Sequence, residues 1–233
     1  MSQLALDLGH RTALDAEDFL VAPPNREAVL WIDRWPDWPA PALAMHGPPG
    51  CGKTHLANVW RSRSGARMFT RAAICGRSPA ELLGEGRCAA VDSADEAAGD
   101  ERALLHLYNV VAERGGHLLL SARTPPARWP LALPDLRSRL GAAPAVAVGR
   151  PDDALIGAVL VKQFADRQLR VAEDVVSFLL ARMERSFDAA RRVVAALDSA
   201  ALAGRRNITV PLARQVLSQL RDSEEGESTW TSE

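Results

Sequence analysis

The run Gly47-Pro48-Pro49-Gly50-Cys51-Gly52-Lys53-Thr54 limits the fold more than any other stretch of this chain. It fits G-x-x-x-x-G-K-[ST], the Walker A phosphate loop. Its glycines let backbone N–H groups turn inward around phosphate oxygens. Lys53 reaches the outer phosphates, the Thr54 hydroxyl is placed to ligand Mg2+, and His55 follows in the same first helical turn. Such a loop works only between a strand and a helix, because the helix N-terminus adds positive partial charge. The flanks agree: residues 42–45 are a short apolar run and residues 54–63 read as a helix. Cys51 fills a variable slot of the loop, where any residue is tolerated and redox control is the sharper alternative.

Beyond the loop, short apolar runs at residues 66–70, 88–91, 117–121 and 145–148 alternate with helical patterns at 78–83 and 101–114. Strands separated by helices predict a five-stranded parallel sheet flanked by helices, an α/β fold with its ligand at the carboxyl edge. A further helix is expected near residues 25–34. After Pro151 the strand signal ends, and helical patterns near 152–168, 172–183, 187–203 and 210–220 predict a small all-α domain. Asp152 and Asp153 mark its start. The expected organisation is an extended arm over 1–12, a nucleotide-binding domain over 13–150, a helical lid over 151–221 and an acidic disordered tail over 222–233. Trp230 stands out in that tail.

The net charge of −1 gives no global positive field pointing to nucleic acid as the main partner, and direct sequence-specific DNA binding is not expected. No apolar run is long enough for a membrane span, and no signal peptide is expected at the N-terminus. Three cysteines without a CxxC pair fit reduced thiols in a cytoplasm.

The third strand candidate runs into Asp92, the Walker B position, whose carboxylate would hold Mg2+. Alone, an Asp after a strand is a turn or cap residue. The next residue is Ser93, and a hydroxyl is a poor base at neutral pH, so self-hydrolysis is expected to be slow unless Asp95 or Glu96 substitutes. Ser121 ends the next strand, either sensing a γ-phosphate or closing a turn. Arg137 and Arg139 lie two apart on a helical pattern and cannot face the same way. One of them reads either as a finger toward a neighbouring subunit's γ-phosphate or as half of a surface ion pair. Arg191 opens a lid helix and could reach bound phosphates, whereas Arg192 is one 100° step away and is expected to be solvated.

The phosphate loop, Asp92, Ser121, Arg139 and Arg191 together resemble the AAA+ superfamily of P-loop NTPases. The finer resemblance is to the replication initiator DnaA. Phe19, Val21, Asn25 and Ala28 resemble the segment that borders the adenine, residues 123–126 its sensor 1 turn, and residues 136–140 its box VII, with Arg139 on the finger position. The resemblance implies ADP or ATP with Mg2+ as ligands, and assembly with a further copy as an open matter. Neither an origin-reading helix-turn-helix domain nor the initiator's first domain is expected here. At the start stands Gln3-Leu4-Ala5-Leu6-Asp7-Leu8, which resembles the peptide that docks in the groove of the DNA polymerase sliding clamp through Gln3, Leu4, Leu6 and Leu8. The set resembles the Hda family of DnaA regulatory inactivators. That resemblance implies clamp and DnaA as partners, and Arg139 acting on ATP held by DnaA. Ser93 in place of a second Walker B acid, and Ala122 in place of a sensor 1 acid, depart from the initiator and put self-hydrolysis in doubt. A helicase-loader or clamp-loader ATPase is the alternative, and a module using nucleotide only as structural glue is a third.

Overall fold

The computed structural model describes residues 20–96, 100–204 and 206–228, with 223–228 described by backbone only. Gln3, Leu4, Leu6, Leu8, Phe19 and Trp230 lie outside the described residues. The chain divides into two compact units, Met1–Arg150 and Pro151–Glu233.

Strand residues of the first unit alternate between two cores. Ala42, Ala44, Ala89, Val91, Leu118 and Leu120 enter one cluster, while Leu43, Met45, Ala90 and Leu119 enter the other. Period-2 side chains that are apolar on both sides need cover on both sides. The strands are β1 (Ala42–His46), β2 (Arg67–Thr70), β3 (Ala89–Asp92), β4 (Leu118–Ala122) and β5 (Ala145–Ala147), all paired in parallel in the order β2-β3-β4-β1-β5. Helices α1 (Arg26–Arg34) and α2 (Lys53–Ser64) contribute Ile32, Leu56 and Trp60 to one face. Helices α3 (Pro79–Leu83), α4 (Glu101–Glu113) and α5 (Pro134–Ala142) contribute Leu82, Leu104, Val111 and Leu136 to the other. The predicted sheet is therefore present. Strand ends move by a residue or so, as happens where apolar runs continue into loops.

Local chemistry sets the helix starts. At α3, Ser78 accepts from Glu81 N while the Glu81 carboxylate accepts from Ser78 N, a capping box. Asp100 caps α4 by accepting from Arg102 N at 2.8 Å.

Glu101 serves a distant helix. Its carboxylate accepts from Ala132 N at 3.0 Å and Leu133 N at 2.8 Å, just ahead of α5. Those two N–H groups, Ala132 first, hold the carboxyl below its ordinary range. A carboxyl lowered by folding adds stability that is present above its unfolded pKa and is lost as pH falls through the folded value. Glu101→Gln is therefore expected to flatten the acid limb of a melting-temperature profile taken from about pH 6 to about pH 3. A limb of unchanged slope would contradict this role.

The loop into β4 passes so close to the strand lead-in before β3 that a Cβ on Gly116 would sit 1.7 Å from the Arg87 carbonyl oxygen. Both partners are backbone, so neither can rotate away. Gly116→Ala is expected to lower unfolding stability by about 3 kcal/mol, read by denaturant titration. A loss of under about 0.5 kcal/mol would show that the loop simply shifts.

The second unit is helical: α6 (Asp153–Asp166), α7 (Glu173–Leu180), α8 (Phe187–Gly204) and α9 (Val210–Ser228). Asp152 caps α6 by accepting from Leu155 N at 2.8 Å. Ile156, Leu160 and Phe164 on α6 recur at helical spacing and share a core with Leu179, Val194, Leu197, Leu212 and Val216. One difference from the sequence expectation is plain. The backbone of α9 stays helical to Ser228, through the first half of the segment expected to be disordered. Its acids thus continue an existing helix and do not have to nucleate one. No helix among the described residues is long and apolar enough to cross a membrane.

Candidate nucleotide site

The strand order determines which side chains meet. Because β4 lies between β1 and β3, Ser121 at its end stands between the phosphate loop and Asp92. Ser121 is 1% exposed, and its Oγ donates to Asp92 Oδ1. Thr54 Oγ1 donates to Asp92 Oδ2 at 3.0 Å. Three of the residues singled out in sequence, far apart along the chain, thus share one carboxylate.

The loop owes its shape to glycine. Gly50 and Gly52 have φ of 69° and 99°, a region costly for residues with a Cβ. Gly47 N donates to the Ala122 carbonyl at 3.1 Å, and a Cβ on Gly47 would lie 2.1 Å from Val148 O. The loop is therefore clamped between β4 and the end of β5. Pro48, Pro49 and buried Cys51 complete it. Lys53 Nζ bonds the carbonyls of Gly47 at 2.8 Å and Pro48 at 2.9 Å and lies 3.7 Å from Cys51 Sγ. The ammonium is thus held inside the curve of the loop. His46, just before it, has its pKa lowered by burial first and then by the charges of Arg128 and Lys53, which favours a neutral imidazole there. His55 is exposed in the first turn of α2.

These donors fit a nucleotide with a divalent ion. A curved run of glycine backbone, an enclosed ammonium and a helix N-terminus suit phosphates. The Thr54 hydroxyl and Asp92 carboxylate are hard oxygen donors suited to Mg2+. No cluster of three His, Cys, Asp or Glu side chains able to hold a metal stands among the described residues. A metal here would thus take further ligands from the phosphates or water.

The residues after Asp92 are arranged as structure. Ser93 adopts φ 54°, unusual for a residue with a side chain, and its N–H donates back to Asp92 Oδ1 at 3.0 Å. Asp95 Oδ2 accepts from Arg123 N at 2.8 Å, Thr124 N at 3.2 Å and Thr124 Oγ1 at 3.4 Å. That carboxylate fastens the turn after β4, and the oxygen that would have to take a proton from water is already engaged by three donors. Arg71, only 3% exposed, braces the turn after β3 through Nη1, which donates to the Ala94 carbonyl at 3.3 Å. Sequence reading missed Arg71, because an arginine after an edge strand ordinarily faces water.

Ahead of α1, Asn25 is 2% exposed, with Oδ1 accepting from Ala22 N at 2.9 Å and Nδ2 donating to Leu20 O at 3.0 Å. Both ends of its amide are engaged in folding residues 20–25, so Asn25 shapes this segment, in which Val21 is half-buried. On α5, Arg139 Nε donates to Asp135 Oδ1 at 3.0 Å, and its guanidinium lies 5.6 Å from the Tyr108 ring centroid. The surface-pair geometry is thus what Arg139 adopts. In the second unit, Arg191 Nη2 donates to Asp188 Oδ1 at 2.6 Å, and Arg192 Nε lies 3.2 Å from Asp188 Oδ2. Asp188 lies three and four residues before them, so both reach it. Arg191, 68% exposed, is the more solvated of the two, against the expectation that Arg192 would be.

Comparison with known proteins bears on the lid and on the fold. Residues 153–217 match the family described as Hda, lid domain. The chain superposes on domain III of the replication initiation protein DnaA from Thermotoga maritima with a TM-score of 0.73 at 17% identity, covering 86% of this chain and 94% of that one. AMPPCP-bound DnaA from Aquifex aeolicus gives 0.67 at 15% identity, over 88% and 69%. The RuvB Holliday junction branch migration motor of Thermotoga maritima gives 0.60 at 16%, over 77% and 61%. At such identities the likeness establishes the fold, which is that of AAA+ proteins with a helical lid.

Proposed function

We propose that this chain, whose fold is that of DnaA domain III and whose residues 153–217 match the Hda lid domain, is a negative regulator of bacterial replication initiation. In this reading it binds ADP or ATP, rides on the DNA-loaded sliding clamp and stimulates hydrolysis of ATP held by DnaA. Lys53 and the loop N–H groups hold the phosphates, and Thr54 and Asp92 hold Mg2+, which neutralises phosphate charge when bound. Ser121 senses the γ-phosphate, and Val21 with Asn25 borders the base. Arg191 closes the lid on the phosphates. Arg139 acts in trans on the initiator's γ-phosphate. The clamp is engaged by Gln3, Leu4, Leu6 and Leu8 in the cytoplasm.

The observation that carries the reading is the combination of a binding edge and a missing base. Thr54, Asp92 and Ser121 converge, yet Ser93 follows Asp92 and Asp95 is engaged by the Arg123–Thr124 turn. This arrangement suits a protein that keeps its own nucleotide and supplies an arginine to another site. Two measurements test it: ATP turnover by the purified chain alone, and clamp affinity of the Gln3→Ala/Leu4→Ala double variant. The reading predicts turnover far below that with initiator present, and lost clamp binding with an unchanged melting temperature. Rapid turnover by the chain alone would favour a loader-type ATPase.

A further inference from the structure

The second unit contains a solvent-open groove of about 180 Å3 that the nucleotide chemistry does not use. Its floor is apolar, formed by Val193 on α8 and by Leu217 and Leu220 on α9. Its rim carries Arg182, Arg192 and Arg221, against one acid, Glu184, in the lining. The three arginines are held in place. Arg182 lies 4.2 Å over the Phe178 ring, Arg221 Nη2 donates to the Arg182 carbonyl at 2.7 Å, and Arg192 Nε lies 3.2 Å from Asp188. An apolar floor under fixed guanidinium groups suits a segment with carboxylates around an aromatic anchor.

Residues 222–233 have that chemistry: Asp222, Glu224, Glu225, Glu227 and Glu233 surround Trp230. Residues 222–228 of this segment run on beyond the last α9 residue that lines the groove of their own chain. Arg221 is in the groove wall, and α9 continues as helix to Ser228, about 10 Å farther along its axis. We propose that the groove receives the acidic segment 222–233 of a second copy of this chain. The exchange is reciprocal in a two-fold pair, with Trp230 on the apolar floor and the carboxylates on the arginine rim. Rim ion pairs make the association weaken as salt rises.

Sedimentation equilibrium of the full chain at micromolar concentration tests this, alongside Trp230→Ala and a chain lacking residues 222–233. Circular dichroism of each variant verifies that folding is retained. The expected result is a dimer at low salt, loosened at least tenfold by Trp230→Ala and abolished by the deletion. A synthetic peptide of residues 222–233 is expected to bind the shortened chain and to lose that binding with Arg192→Glu. A monomeric full chain, a dimer indifferent to the deletion, or peptide binding indifferent to Arg192→Glu would each overturn the proposal.

Discussion

Replacing Arg139 with alanine is expected to lower the stimulated hydrolysis of initiator-bound ATP by about 10³-fold or more, the range for removal of an arginine finger. The same change is expected to leave the fold intact. Arg139 is about two-fifths exposed and pairs with Asp135 one turn earlier, and an exposed pair of that spacing contributes only about 0.3–0.5 kcal/mol. Its stacking on Tyr108 adds little more at such an exposed site. Catalytic loss and structural loss therefore separate cleanly. Arg137→Ala is the control, two residues away on the same helix. Stimulation by Arg139→Ala within twofold of the parent, or an equal loss with Arg137→Ala, would contradict the assignment. The comparison is made as single-turnover conversion of ATP to ADP on the initiator, with melting temperature measured on the same samples.

The second large effect is expected at Gly47. An alanine there would drive a Cβ to 2.1 Å from the Val148 carbonyl and 3.1 Å from Cys51 Sγ. The carbonyl is backbone, and the adjoining strand end is held by Val148 N donating to His46 O at 2.7 Å. The phosphate loop must shift, and its N–H groups lose their common aim. Gly47→Ala is expected to weaken nucleotide binding by about 100-fold or more, equivalent to about 2.7 kcal/mol. It also removes the ligand's contribution to thermal stability. Calorimetric titration with ADP, together with melting curves at rising ADP, reads both. A variant with parental affinity would mean that the loop is not the nucleotide site.

The parts of the molecule legible in sequence are those whose signal is local. The phosphate loop carries its own grammar, and the doubly buried strands read as short apolar runs between helical patterns. Ser78 and Asp152 mark helix starts by chemistry within three residues. What escaped reading depends on contacts across the chain. Asp95 looks like a spare base until the turn at Arg123 and Thr124 closes on it. Arg71 looks solvated until the β3 turn covers it. Glu101 reads as a first-turn helix acid, although it also holds the lead-in to α5. Asn25 was legible as special, but its role in fixing Ala22 and Leu20 required the folded segment. The helical course of α9 past Arg221 was hidden by the charge of residues 222–227, which resembles disorder in composition alone.

The central claim is that this chain acts on the nucleotide of another protein. Its most direct test is conversion of DnaA-bound ATP to ADP with this chain, sliding clamp and DNA, each omitted in turn. The account predicts rapid conversion only when all three are present. No stimulation in the complete mixture, accompanied by ATP turnover by this chain alone, would contradict it.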